Sequence, residues 1–75
     1  MTVEELFAAE LQEDPSAIDD AASPTTLKSW DSFNNVKLIM ALEDAYQVTL
    51  SSSEIAAMSS VGAVKRILRA KGITV

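Results

Sequence analysis

The sequence predicts an all-α chain, a small helical bundle with three main helices and a short one between the second and third. Three observations predict it. Apolar residues from Phe33 to Tyr46 recur at the three- and four-residue spacing of a helix. Thr2 with Glu5, and Ser51 with Glu54, have the spacing of capping boxes, in which each side chain satisfies a free backbone N–H of the other. The links after residue 46 are short, which favours antiparallel neighbours, while the long connection over 13–31 lets the first two helices lie otherwise.

The first helix starts at the Thr2 cap and runs through Leu11. Val3, Leu6 and Phe7, then Glu10 or Leu11, make its inner face, with Phe7 as aromatic anchor. Asp14-Pro15 ends it, because the residue before a proline avoids helical dihedrals. Asp14 then caps a short turn over 15–18. The connection over 13–31 is rich in turn formers: Asp19, Asp20, Ser23, Pro24, Thr25 and Thr26. A link this long in so small a chain is packed or functional. Ile18, Ala21, Ala22, Leu27 and Trp30 are the residues available to pin it. Trp30 has two readings. It packs over the first helix with its indole N–H at the surface, or it stands exposed beside Ser32 as a partner contact.

The second helix opens at Asp31-Ser32. Asp31 is a good N-cap, its carboxylate accepting from the first-turn N–H groups. Ser32 takes the first helical position, at the end of the helix dipole that favours a phosphate. As a dipeptide the pair reads equally as simple capping. Two apolar stripes follow. Leu38, Ile39, Leu42 and Ala45 or Tyr46 suit a core. Phe33, Val36 and Met40 form a second face, since about 100° per residue brings them together. A chain of 75 residues has little capacity to bury a helix all round, so the second face is expected to meet something besides its own core.

Residues 47–50 form an extended link, and Ser51 caps a brief helix over 55–58. Ser59-Ser60 stops that helix and caps the last one, Val61 to about Ala70, with Val61, Val64, Ile67 and Leu68 inward. Gly62 leaves room for a close approach, and Gly72 suits the position just past the helix end, with Ile73 making the usual apolar contact. The length fits one domain, residues 1–75. A start at Met1 with an immediate capping box predicts a free-standing protein.

Composition narrows the function. There is no cysteine and no histidine, so a disulfide framework, thiolate metal sites and the commonest general base and metal ligand are missing. No activating base stands beside Ser32. A direct catalyst is therefore the least expected class. No apolar run reaches membrane-spanning length and no leader pattern is present, so no stable membrane insertion and a cytoplasmic location are expected. Net charge is −5. Residues 1–64 carry eleven acids against Lys28 and Lys37, whereas 65–75 carry Lys65, Arg66, Arg69 and Lys71. The acidic body argues against nucleic acid and suits docking to basic patches on proteins. The basic end is either a phosphate or lipid patch or, more simply, an offset to the negative end of a helix.

The longer motif is more specific than the Asp-Ser pair. Asp31-Ser32-Phe33, followed by Val36-x-Leu38-Ile39-Met40-Ala41-Leu42-Glu43-Asp44, resembles the acyl carrier protein family around its modified serine. That family commonly reads Asp-Ser-Leu and then Val-x-Leu-Val-Met-Ala-Leu-Glu-Glu. Tyr46 stands where the family has Phe, Leu50 where it has Ile, and Val61 opens the final helix. The resemblance runs from about Leu27 to Leu68, and more loosely over the first helix.

The resemblance implies a monomeric, non-catalytic carrier with the fold predicted above. Ser32 would be the attachment point of 4′-phosphopantetheine, donated by coenzyme A through a holo-carrier synthase, with Asp31 as the cap beside it. Acyl-loading and acyl-using enzymes would be the partners, docking on Phe33, Val36, Lys37, Met40, Glu43 and Asp44. Leu42, Leu50, Ile55, Met58 and Val64 match positions that line an acyl pocket, and read equally as plain core; Met40 and Met58 would make such a cavity adaptable.

Several departures are informative. Phe33 replaces the usual Leu, as also in D-alanine carrier proteins. Asn34 and Lys37 stand where fatty-acid carriers usually have acids, and Ser29-Trp30 replaces the frequent glycine-containing lead-in. They imply a dedicated carrier for specialised lipid, polyketide or envelope-modification chemistry rather than housekeeping fatty acid synthesis. The alternatives are an aminoacyl carrier, peptidyl or D-alanyl, or an unmodified scaffold of the same shape.

Overall fold

A computed structural model describes residues 2–75. Met1, on which the expectation of a free-standing protein rests, lies outside them. In chain order the elements are α1 (Val3–Leu11), a 3-10 turn (Pro15–Ala17), α2 (Ser32–Tyr46), α3 (Ser52–Ala56) and α4 (Val61–Ala70), with no strand among the described residues. The all-α class and the order of long and short helices are as the sequence predicts.

Each helix starts on the predicted residue type. Both capping boxes form, Thr2 with Glu5 and Ser51 with Glu54. Asp31 and Ser60 cap α2 and α4, accepting from the N–H groups of Asn34 and Ala63. The ends are less predictable. α1 stops at Gln12, which takes a left-handed conformation (φ 56°), two residues before Asp14-Pro15. The next N–H, that of Glu13, then reaches back to the Ala8 carbonyl at 2.9 Å, and that bond rather than the proline terminates the helix. Gln47 (φ 53°) and Gly72 (φ 88°) end α2 and α4 in the same way. α3 begins at Ser52, three residues earlier than the apolar pattern indicated, because the first turn after the Ser51 cap is already helical.

α1 packs against α2, the 3-10 turn and α4. Their shared core holds Val3, Leu6, Phe7 and Leu11 of α1, Leu38 and Leu42 of α2, and Val61, Val64 and Leu68 of α4. Ile18, Ala22 and Trp30 enter it from the long link, as do Leu50 and Met58 from either side of α3. Full burial of a leucine such as Leu38 or Leu42 contributes roughly 1.5–3 kcal/mol. Ala21 and Ala45 are exposed, contrary to expectation, while Leu27, Ile39 and Ile67 are only half-buried and Glu10 stays at the edge. An alanine adds little apolar area, so helical spacing alone does not draw it inside.

The long link is a structural member. Its Ala22 and Asp20 carbonyls accept from the first two N–H groups of α4, Val61 at 2.9 Å and Gly62 at 3.0 Å. With Ser60 serving Ala63, the first three amide donors of α4, free of any partner within the helix, are all satisfied. Gly62 permits this close approach, since a Cβ would sit 3.1 Å from the Asp20 oxygen and push the link outward by a few tenths of an ångström. Lys65, one turn further on, bridges Glu4 of α1 at 2.6 Å and Asp20 of the link at 2.7 Å. Lys71 pairs with Glu54 at 2.9 Å. Two of the four cations at the basic end, Lys65 and Lys71, are thus held in internal ion pairs, rather than only offsetting the helix dipole.

Candidate functional site

The first turn of α2 sets the site. Asp31 turns its carboxylate back onto the Asn34 N–H at 2.8 Å, an arrangement worth about 1 kcal/mol. Ser32 follows as the first helical residue and is exposed. Its hydroxyl has no hydrogen-bond partner among the described residues. The nearby Ser29 differs: its hydroxyl donates to Glu13 at 2.9 Å.

Trp30 fixes the lead-in. It is buried, with its ring edge-on to Phe7 at 5.0 Å between centroids. Packing therefore holds over partner contact. The indole N–H is not at the surface but donates to Asn35 Oδ1 at 2.9 Å. Asn34 makes a second tie, its side-chain amide donating to the Ser29 carbonyl at 2.7 Å. Two side chains of the first turn thus anchor the approach to Ser32.

Beside Ser32 lies an open cleft of about 420 Å³, lined by Pro24, Trp30, Asp31, Ser32, Asn35 and Met58. That falls in the size range of small-ligand sites, roughly 300–1,000 Å³. Asn35 and Pro24 are not singled out as site residues by the sequence, and Trp30 only as an exposed partner contact, whereas here it is buried in the lining. The available signals were that Asn35 stands three residues after Ser32, on the same helix face, and that a buried indole N–H needs an acceptor.

The outer face of α2 is apolar and open. Phe33, Val36 and Met40 are 71%, 56% and 64% exposed. Lys37 joins them, its ammonium 5.0 Å from the centre of the Phe33 ring. At about 100° per residue, Phe33, Lys37, Met40 and Asp44 form one stripe turned away from Leu38 and Leu42. Asp44 is exposed at its far end and also borders a groove against α1. Glu43 is placed differently. It is half-buried, and its carboxylate accepts from the Leu50 N–H at 2.8 Å, tying α2 to the link that follows.

Leu42, Leu50, Met58 and Val64 do meet, together with Ile67 and Leu68. The gap they enclose has no room for a water molecule. Ile55 packs on the core but does not line that gap. Met58 contributes to both the closed gap and the open cleft beside Ser32.

No group of three or more residues able to hold a metal occurs among the described residues, and no helix of the structure is long and apolar enough to cross a membrane. No protein-family model matches the chain, and no curated protein is found to be related to it.

Proposed function

We propose that this chain is a carrier that bears 4′-phosphopantetheine on Ser32 and presents acyl cargo to partner enzymes. The observation that carries the reading is the exposed Ser32 hydroxyl, without a partner, at the first position of α2 and on the rim of a ligand-sized cleft. The residues fit the group. A phosphodiester on Ser32 would lie at the positive end of a 15-residue helix, where free N–H groups and the dipole favour an anion. When bound, the group supplies a thiol on a long arm, which takes cargo as a thioester.

The chain's own residues divide the remaining work. Asp31 holds the first turn in register. Trp30 and Asn34 keep the lead-in from swinging over Ser32. Phe33, Val36, Lys37 and Met40 offer partners an apolar face with one cation, unlike the acidic face of fatty-acid carriers. This supports a dedicated carrier with its own loading enzyme, in specialised lipid, polyketide or envelope-modification chemistry. One observation favours the aminoacyl alternative: the apolar gap among Leu42, Leu50, Met58 and Val64 is closed, which suits a cargo that stays outside the core.

Incubation with coenzyme A and a broad-specificity phosphopantetheinyl transferase tests the reading. The intact mass is expected to rise by about 340 Da, the mass of the arm, and Ser32→Ala to show no rise. Challenge of the loaded protein with adenylating or with acyl-transferring enzymes then separates aminoacyl from acyl cargo. No gain where a control carrier is modified would leave an unmodified scaffold, with the outer face of α2 as its contact surface.

A further inference from the structure

The cleft beside Ser32 has a chemistry of its own. It contains no cation. Its one carboxylate, Asp31, is engaged with the Asn34 N–H, and its indole N–H is taken by Asn35. Pro24, Trp30 and the buried Met58 supply the apolar part of its surface. Besides the Ser32 hydroxyl, to which the arm would attach, what remains to the cleft is the Asn35 side-chain amide. The Trp30 bond takes its oxygen, so the orientation of the amide is set, and its two N–H donors have no partner among the described residues. Such a surface, N–H donors over an apolar floor with no positive charge, suits a neutral chain that alternates carbonyl groups with methylenes. It does not suit a free polyanion, which the Asp31 carboxylate repels.

Asn35 stands one turn from Ser32 on the same face of α2, so a chain leaving the Ser32 oxygen passes it. We propose that Asn35 is the positioning residue for the arm: its amide, oriented by the Trp30 indole, donates to a carbonyl of the pantetheine chain and lays that chain over Met58. The proposal rests on the carrier reading. It implies that the arm rests in the cleft between partners instead of ranging freely in solvent, and that Trp30 acts on the arm both as apolar lining and by orienting Asn35. Met58, a flexible thioether, accommodates the chain without fixing it.

The test uses the full chain labelled with methyl-13C methionine, before and after loading from coenzyme A, with loading checked by intact mass. Met58 lies in the cleft, whereas Met40 is 64% exposed on the outer face of α2. On loading, the Met58 methyl resonance is expected to move and that of Met40 to stay. Asn35→Asp keeps an oxygen for the Trp30 indole but removes the N–H donors, and Asn35→Ala removes both without adding charge. In loaded samples of both variants the Met58 resonance should return towards its unloaded position, by the roughly fivefold change in docked-to-free ratio expected for one hydrogen bond. The chain has no cysteine, so the arm's thiol is the sole thiol of the loaded protein. Its reaction rate with a disulfide reagent should rise in the same two variants. A mass gain with an unmoved Met58 resonance, or with identical behaviour of the wild type and both variants, overturns the proposal and leaves the carrier reading standing. Absence of any mass gain overturns both.

Discussion

The two sides of α2 have similar apolar content and opposite surroundings. Leu38 and Leu42 are wholly buried, whereas Phe33, Val36 and Met40 are mostly in water, on the same 15-residue helix. The inner side is explained by folding. Burial of its leucines against α1 and α4 is part of what keeps the chain compact, with a radius of gyration of 11.0 Å, close to the ~11 Å expected of a folded chain this long. The outer side contributes little to that. Three adjacent large apolar side chains in water need a reason beyond the fold, and the proposed docking of partner enzymes beside Ser32 would supply one. The lesson is that apolar periodicity identifies a helix but does not say which stripe is core.

The sharpest way to break the comparison is to substitute each side in turn. Leu42→Ala should destabilise the chain by about 2–5 kcal/mol, as buried leucines do, enough to unfold much of so small a protein. Urea denaturation followed by circular dichroism reads this. The double variant Phe33→Ser and Met40→Ser should leave the unfolding free energy within about 0.5 kcal/mol of wild type. The same variant should lower the transferase kcat/KM about tenfold or more, as loss of apolar contacts at an interface does. Equal stability losses on both sides would erase the distinction.

Lys37→Glu sharpens the outer face further. It removes the cation over the Phe33 ring and reverses the charge met by a partner. Loading by the cognate enzyme is expected to slow about three- to tenfold, with the effect shrinking as salt is added. Unchanged kinetics would remove Lys37 from the recognition surface.

A third region, away from both sides, gives a smaller effect that depends on pH. Hydrogen bonds from Lys65 hold the Glu4 and Asp20 carboxyls below the usual carboxylate range, and the same bonds, to Asp20 and Glu4, raise the Lys65 ammonium. Depressed carboxyl values contribute stability above the ordinary carboxylate range and lose it as pH falls through that range and below. The raised lysine contributes up to the ordinary lysine range and loses its share only as pH rises further. The wild-type urea midpoint should therefore fall on acidification, and that of Lys65→Met should start lower and fall less. Parallel acid limbs would show that the clasp is not coupled to folding. The smallest effect is at Tyr46, whose hydroxyl is enclosed without a partner and whose pKa burial raises. Tyr46→Phe should leave thermal stability equal or raise it by up to about 1 kcal/mol, because it removes an unsatisfied polar atom.

Legibility in the sequence followed range. Caps were readable because Thr2 with Glu5, Asp31 with Asn34, Ser51 with Glu54, and Ser60 with Ala63 act within one turn. The left-handed stop at Gln12 was not, because nothing in that side chain announces it. Long-range ties were invisible: Lys65 reaches Glu4 and Asp20 across 61 and 45 residues of sequence. The placement of Ser32 was legible from Asp31-Ser32. The cleft beside it was not, since it needs Pro24 and Met58 brought together from distant segments. Glu43 illustrates the same limit. The resemblance to carrier proteins implies a partner contact there, and the fold gives its carboxylate to the Leu50 amide.

The most direct measurement is localisation of the modification. Trypsin cuts after Lys28 and Lys37 and releases residues 29–37, which contain both Ser29 and Ser32. Tandem mass spectrometry of that peptide, from protein treated with coenzyme A and transferase, distinguishes the two. The account predicts the whole added mass on Ser32, whose hydroxyl is exposed, and none on Ser29, whose hydroxyl is bonded to Glu13. Mass on Ser29, mass elsewhere in the chain, or an unmodified peptide would contradict it.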